Sequence, residues 1–302
     1  MKSSASTITR SNMIYHLVAI AVVAIWGSTL VSTKLLMQAG MRADEVFFAR
    51  FLIAYLAIIT FSPRKLFADG WKDELMMLLL GITGGSLYFI TENLAVGLTY
   101  VNNVSFIVST SPLITMFFIL MTYKGLPVRK ILILGSILAV VGIGIVIFNG
   151  QVVLKLNPMG DLMSAAAALC WGFYSYLVKI MGDRYDSVFL TRKVFFYGTV
   201  STLPVFYFKP WHFGLDGLMQ SSVMLNLLFL GLIASFVCFA LWNIAITKLG
   251  AVTISNYCYL IPVATVIFSA IFLDEPMTPM AYAGSSLILI GVYFANKGCA
   301  DD

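Results

Sequence analysis

Apolar runs of membrane-spanning length, parted by brief polar interruptions, set the pattern of this chain. The first reaches from Ile14 to about Leu36. Nine more follow, at about Val46–Ser62, Leu75–Gly97, Val104–Tyr123, Ile131–Asn149, Asp161–Met181, Ser187–Phe208, Ser222–Thr247, Ala251–Leu273 and Met280–Asn296. A bilayer core takes ~20 helical residues. Each backbone donor and acceptor inside it must be satisfied within its own segment. The pattern therefore predicts an all-α integral membrane protein of ten transmembrane helices. The first run is too long for the apolar part of a signal peptide. Trp26-Gly27-Ser28 offers no small-x-small cleavage site, so the run is expected to stay as a span.

Polar positions inside the apolar sequence concentrate between Leu87 and Pro112, L-Y-F-I-T-E-N-L-A-V-G-L-T-Y-V-N-N-V-S-F-I-V-S-T-S-P. Glu92 and Asn93 sit near the end of one run, and Asn102 and Asn103 open the next. Only a turn from Gly97 to Tyr100 separates them. Moving 150 positions along gives V-C-F-A-L-W-N-I-A-I-T-K-L-G-A-V-T-I-S-N-Y-C-Y-L-I-P, from Val237 to Pro262. Asn93 then falls on Asn243, Ala95 on Ala245, Ser105 on Ser255 and Pro112 on Pro262. The duplication extends further: Trp26-Gly27 recurs as Trp171-Gly172, Lys34 as Lys179, Arg50 as Arg192 and Gly81 as Gly231. Gly135 with Gly142 recurs as Gly284 with Gly291. The competing explanation is chance likeness of two apolar sequences. So many shared residue types in one order argue against it. Five runs per repeat is an odd number, so the second repeat must enter the membrane with opposite polarity. The expected organisation is a tail at 1–12, a first five-helix repeat at 13–150 and an inverted second one at 151–298. Inverted repeats are a common construction of secondary transporters, with substrate near the midplane where the repeats meet.

Composition narrows the class further. The chain is 60% hydrophobic and 11% charged, where a soluble domain carries about 25% charged residues. The net charge of +5 is scattered along the chain, which speaks against nucleic acid as a partner. It serves better as topology information, because Lys and Arg gather in loops that stay in the cytoplasm. With the N-terminus inside, the cytoplasmic segments hold Lys2, Arg10, Arg64, Lys65, Lys72, Lys124, Arg129, Lys130, Arg184, Lys248 and Lys297. The other side holds Arg42, Lys155 and Lys209. Eleven against three places both termini in the cytoplasm.

Several stretches carry a family likeness. W-G-S-T-L-V-S-T-K from Trp26 to Lys34, Glu92 to Pro112, W-G-F-Y-S-Y-L-V-K from Trp171 to Lys179, and L-D-E-P-M-T from Leu273 to Thr278 resemble the EamA-type transporters of the drug/metabolite transporter superfamily. The resemblance covers essentially the whole length. It implies ten helices in two inverted five-helix repeats, both termini in the cytoplasm, and a central cavity that admits small metabolites. Cargo in the family ranges over amino acids, other metabolites and drugs, and export of amino acids or related compounds is the leading expectation here. Lys124-Gly125-Leu126-Pro127 stands where the first half would carry the counterpart of the acidic turn and departs from it.

Single residues have bland readings beside sharp ones. Glu92 is the one acid well inside a span, where a carboxylate costs ~2.5–3.5 kcal/mol on insertion scales. A structural ion pair with Arg50 or Lys34 would offset that. A binding group for a substrate ammonium, or a site coupling transport to protons, would use it. Lys179 and Arg192 are read as snorkelling to the interface. Trp26, Tyr88, Trp171, Tyr174, Trp242, Tyr257 and Tyr259 are candidate cavity walls against the commoner reading of packing. Asn93 and Asn243 read as interhelical joints, worth ~0.6 kcal/mol each on average. Asn102, Asn103 and Ser109 are candidate substrate or gate residues. Ser105 and Ser255 fit either reading. Pro112 and Pro262 each remove a helix hydrogen bond and should bend their spans, as hinges or as cavity-shaping kinks. Gly84, Gly85 and the paired glycines read as close-packing positions.

Other chemistry is sparse. The four cysteines show no C-x-x-C spacing, which indicates neither a disulfide framework nor a zinc site. His16 and His212 lie far apart in the expected topology. No P-loop pattern occurs, so no cofactor is expected. A membrane-embedded enzyme would need a nucleophile–base pair or metal ligands, which Glu92 alone does not supply. A channel for small solutes remains an alternative. The expected partners are a small-molecule substrate, the lipid bilayer and, as a candidate coupling ion, the proton. The expected location is the cytoplasmic (inner) membrane.

Overall fold

The computed structural model describes residues 10–62, 65–99, 101–123, 129–148, 157–272 and 279–298, with side chains at 10–11, 101–103, 146–148, 266, 269–272 and 281 set aside. The Leu273–Thr278 turn and the Lys124–Pro127 turn lie outside the described residues. Among the described residues all regular structure is helical. The first half holds α1 (Arg10–Gln38), α2 (Ala43–Ile58), α3 (Trp71–Gly81), α4 (Leu87–Leu98), α5 (Val101–Val108), α6 (Ser111–Thr122) and α7 (Lys130–Phe148). The second holds α8 (Pro158–Gly182), α9 (Ser187–Phe208), the short α10 (Leu215–Leu218), α11 (Ser221–Leu228), α12 (Cys238–Leu249), α13 (Ala251–Ser255), α14 (Ile261–Phe272) and α15 (Pro279–Gly298).

Local chemistry sets several of these ends. Arg42 caps α2 in a capping box with Glu45, whose carboxylate takes the Arg42 backbone N–H at 2.9 Å. Asp186 caps α9 by accepting from the N–H groups of Val188 and Phe189. Asn157 caps α8, with Pro158 in the first turn, where its missing N–H costs nothing. Five stretches are long and apolar enough to cross a membrane: Asn12–Gln38, Trp71–Leu98, Val104–Thr122, Pro158–Gly182 and Ser221–Leu249.

Each half repeats the same irregularities. α3 and α4 form one rod through a π-helical segment, Ile82–Ser86, with Gly85 at φ −125°, ψ −107°. α11 and α12 do the same through Phe229–Val237. Gly84 and Gly85 therefore sit at a break in helical geometry as well as at a close contact. A Cβ on Gly84 would come within 2.2 Å of the Tyr174 ring. The expected bends at the prolines are breaks: α5 stops at Val108, and Pro112 stands in the first turn of α6. Likewise α13 passes through a 3-10 turn, Asn256–Leu260, into α14, whose second residue is Pro262.

The halves interlock through their glycines. Gly81 packs on Tyr197 and Gly198 of α9, while its equivalent Gly231 packs on Ile53 and the Arg50 carbonyl of α2. Gly27 packs on Ala264 of α14, and Gly172 on Ile114 of α6. Between α7 and α15, Gly135 meets the backbone of Gly291 and Ala295, and Gly291 meets that of Gly135 and Ala139. Each contact made by one half is answered by the equivalent contact from the other. The outward surfaces are apolar: Leu17 and Ile20, Leu134 and Ile137, and Leu289 and Tyr293 stand exposed on α1, α7 and α15.

Charge lies at the two ends of the bundle. At one end Arg184 pairs with Asp73 at 2.7 Å, Lys193 pairs with Glu74, and Lys65 pairs with Asp69. At the other, Arg42 pairs with Asp44 at 2.8 Å and donates to the carbonyls of Lys209 and Pro210, while His212 lies 2.7 Å from Glu45. Arg192 does not snorkel. It is 5% exposed, sits near Phe189 and donates to the carbonyls of Lys65 and Leu66.

Candidate functional site

Where the halves meet, residues of α1, α2, α4, α5, α6, α8, α12, α14 and the 3-10 turn Asn256–Leu260 line a cavity. Its floor is aromatic. The rings of Trp26 and Trp171 meet edge to face at 5.2 Å and 88°, Tyr88 lies 5.0 Å from Trp171, and Phe239 lies 5.8 Å from Trp26. These rings are large apolar surfaces with polar edges, and edge-to-face pairs gain ~0.5–1.5 kcal/mol beyond burial alone. The Trp26 indole N–H donates to the Ala234 carbonyl in the π segment at 3.0 Å, which fixes the ring between the halves.

Two opposite charges enter this cavity. Arg50 is 2% exposed; its Nε donates to Ser235 at 2.9 Å, and its guanidinium stacks 4.3 Å from the centre of the Phe89 ring. Glu92 is 8% exposed and accepts from the Tyr88 hydroxyl at 2.6 Å. Both line the cavity, yet among the described residues no ion pair within 4 Å joins Glu92 to Arg50 or to Lys34. Of the two readings of Glu92, the structural ion pair is therefore not formed among the described residues. A neutral phenol satisfies one oxygen, and the carboxyl group remains open to the cavity. Thr29, Val104 and Ser105 also line it.

Of the residues singled out in the sequence, Trp26, Tyr88, Glu92 and Trp171 come together here, with Arg50 beside them. Tyr174 and Trp242 lie one layer behind, fully buried: the Tyr174 hydroxyl donates to Asn243 at 2.7 Å, and Trp242 packs 4.8 Å from Trp26. Tyr257 stands apart, 2.7 Å from His16 Nδ1. Ser109 is buried at the break between α5 and α6. The side chains of Asn102 and Asn103, at the start of α5, lie outside the described residues. The paired amides tie the third rod of each half to the second helix of the same half. Asn93 donates to the Ala43 carbonyl at 3.0 Å, and Asn243 donates to the Thr191 hydroxyl at 2.9 Å. Lys34 is half-buried at the far end of α1.

Phe89, Phe239, Ser111, Cys258 and Ile261 also line the cavity, and sequence reasoning passed over them. A signal was present. Phe89 and Phe239 are separated by the same 150 positions as Asn93 and Asn243, and Ser111 precedes Pro112 as Ile261 precedes Pro262.

This geometry suits a small solute carrying both charges and an apolar body. Among curated proteins, a relative named only as a transporter, from Archaeoglobus fulgidus, is 25% identical over 93% of this chain and 96% of its own length. A protein named as a probable terminal-alkyne amino-acid exporter, from Streptantibioticus cattleyicolor, is 22% identical over 91% of each chain. A probable amino-acid metabolite efflux pump from Salmonella typhimurium is 24% identical over 91% of this chain and 92% of its own. A solved crystal structure superposes with a TM-score of 0.74 at 16% identity, over 95% of this chain and 96% of that one, a likeness of fold. The family model for EamA-like transporters matches twice, over residues 13–148 and 158–297. With both halves matched across nearly its whole length, the chain belongs to the EamA-like transporter family.

Proposed function

We propose that this transporter carries amino acids or closely related zwitterionic metabolites across the cytoplasmic membrane, outward from the cell, by alternating access of two inverted five-helix repeats. The observation that carries the reading is the unpaired opposition of Arg50 and Glu92 in one aromatic-walled cavity. A carboxylate matches the guanidinium fork, whose bidentate geometry favours planar anions. An ammonium group matches Glu92, and an apolar side chain would lie against the aromatic wall that Trp26 and Trp171 form together. The names of the amino-acid exporters among the relatives support the same cargo and direction.

Ten spans follow if α2, α7, α9, the α13–α14 segment and α15 cross with the five long apolar stretches. The 16 residues of α2 are short for a bilayer, and its chain continues by hydrogen-bonded turns to Phe61. Lys65 and Arg184 lie at one end of the bundle and Arg42 and Lys209 at the other, which supports an orientation with the Lys65 end in the cytoplasm. Proteoliposome uptake of a panel of radiolabelled amino acids, with and without a pH gradient, tests the proposal. Saturable uptake of at least one apolar amino acid is expected, and a flux that rises linearly with concentration would mean a channel instead. A dependence on the pH gradient would make the proton the coupling ion.

A further inference from the structure

The cavity is lopsided with respect to the repeat. Trp26 and Trp171 are equivalent positions, as are Phe89 and Phe239, and both members of each pair line it. So do Val108 with Cys258, and Ser111 with Ile261. These pairs mark the level at which the two halves share one site. Thr29, Leu30, Arg50, Glu92 and Ser105 are among the residues that line it from the first half alone, as Tyr88 and Val104 do. The equivalents of those first five at the same offsets are Tyr174, Ser175, Arg192, Trp242 and Ser255, none more than 5% exposed. The register between α2 and α9 is firm, because Asp44 to Arg50 and Asp186 to Arg192 share D-x-V-F-x-x-R.

Three of those buried equivalents have polar atoms without a hydrogen-bonding partner among the described residues: Ser175 Oγ, Ser255 Oγ and Trp242 Nε1. Buried polar groups are almost always paired, and an exception needs an explanation. A state in which they meet water supplies one. Inverted repeats have two such states related by exchange: what one half does now, the other does when access reverses.

We propose that Tyr174, Ser175, Arg192, Trp242 and Ser255 are a second mouth of the same site, collapsed in this conformation, and that Arg192 takes over the substrate anion from Arg50 when access reverses. This rests on the inverted-repeat transporter reading. In the present state Arg192 is held by the carbonyls of Lys65 and Leu66, contacts that a shift of that segment would release. The equivalence is incomplete in one respect: Trp242 stands where Glu92 would be. The second mouth therefore grips the anion and the apolar part of a solute but offers no carboxylate to its ammonium.

Two measurements test this in reconstituted vesicles of known orientation. In a chain with Cys170, Cys238, Cys258 and Cys299 replaced by Ala, Ser175→Cys and Ser255→Cys are exposed to a membrane-impermeant methanethiosulfonate from one face at a time. Modification from the face that carries Arg184 is expected. No modification from either face, or modification only from the face that carries Arg42, overturns the proposal without reference to any cargo. The second measurement follows tritiated L-phenylalanine from each side in Arg192→Gln, with Arg192→Lys as the conservative control. Half-saturation from the Arg184 side should rise at least tenfold and recover in part with Lys. If Arg192 were only a latch, its loss would populate the state open to that side, and half-saturation there would fall. A fall, or an equal rise on both sides, defeats the assignment. If the unaltered protein carries no phenylalanine, the cargo reading fails, while the labelling result still judges the second mouth.

Discussion

Arg50 and Glu92 share one cavity and do not touch: the arginine spends its Nε on Ser235, and the glutamate takes the hydroxyl of Tyr88. Each charge has one neutral partner, which steadies it without cancelling it. An ion pair between them would leave the site nothing to offer a zwitterion.

Glu92→Gln follows directly. The amide oxygen still accepts from Tyr88, and no ion pair is broken, so thermal stability in detergent should stay within a few degrees of the parent. Affinity for an amino acid should fall by about tenfold or more, equivalent to about 1.4 kcal/mol, while a deaminated analogue should be less affected. A fall in stability of the size that accompanies a broken buried ion pair, ~3–5 kcal/mol, would show that Glu92 has a cationic partner in the membrane.

Trp171 separates packing from binding less cleanly. Its ring contacts Trp26, Tyr88, Tyr174, Phe239 and Trp242. Trp171→Ala should therefore lose stability as well as affinity, by ~3–5 kcal/mol for a large aromatic truncated in a core. Trp171→Phe keeps most of the volume. It should fold normally and weaken transport of aromatic amino acids, read as a higher half-saturation at unchanged protein yield.

Much of this was legible in the sequence, and the limits have physical causes. Repeated Trp-Gly, the repeated Asn93/Asn243 and Pro112/Pro262, and paired glycines give away the two-fold construction, because backbone crossings at Gly135 and Gly291 admit no side chain. The cavity's charges were visible as single residues. Their separation was not, since Lys34, Arg50 and Glu92 all count toward the same end and only packing decides which of them meet. Phe89 and Phe239 look like any apolar position in a span until their offset is compared with that of the asparagines. Arg192 read as an interfacial cation because sequence cannot show that the 65–66 carbonyls fold over it.

Topology is checked by reporters. One fused after Asp302 should be cytoplasmic, and one inserted between Asn149 and Pro158 should face outward, because the first half holds an odd number of runs. Both reporters on one side would refute the inverted construction.

Glycine substitutions should separate by what they meet. A Cβ on Gly135 would lie 2.2 Å from the Ala295 backbone nitrogen, which cannot move without parting α7 from α15. On Gly97 it would lie 3.1 Å from the Met37 terminal methyl, the far end of a flexible chain. Gly135→Ala should therefore cost several degrees in Tm, whereas Gly97→Ala should be nearly silent. Equal effects would mean that α7 and α15 are less tightly held than their backbone contacts imply.

The charged end that joins Glu74 to Lys193 offers the last contrast, because the two partners are unequally provided for. Glu74 also accepts from the Tyr197 hydroxyl and from the Ala68 N–H at 2.7 Å. Lys193 is 3% exposed, and among the described residues its ammonium otherwise meets the faces of Phe67, Phe189 and Tyr197. Removing the acid strands a buried cation, whereas removing the cation leaves a carboxylate with two donors. Glu74→Leu should therefore cost about 3–5 kcal/mol and Lys193→Met clearly less, with the double variant recovering much of the loss. Thermal unfolding of the three variants measures this. Because α3 and α9 belong to different halves, weakening the pair should also ease opening at that end, read as faster phenylalanine exchange. Glu74→Leu and Lys193→Met of equal stability would mean that Lys193 finds another anion, and that the pair is not what closes this end.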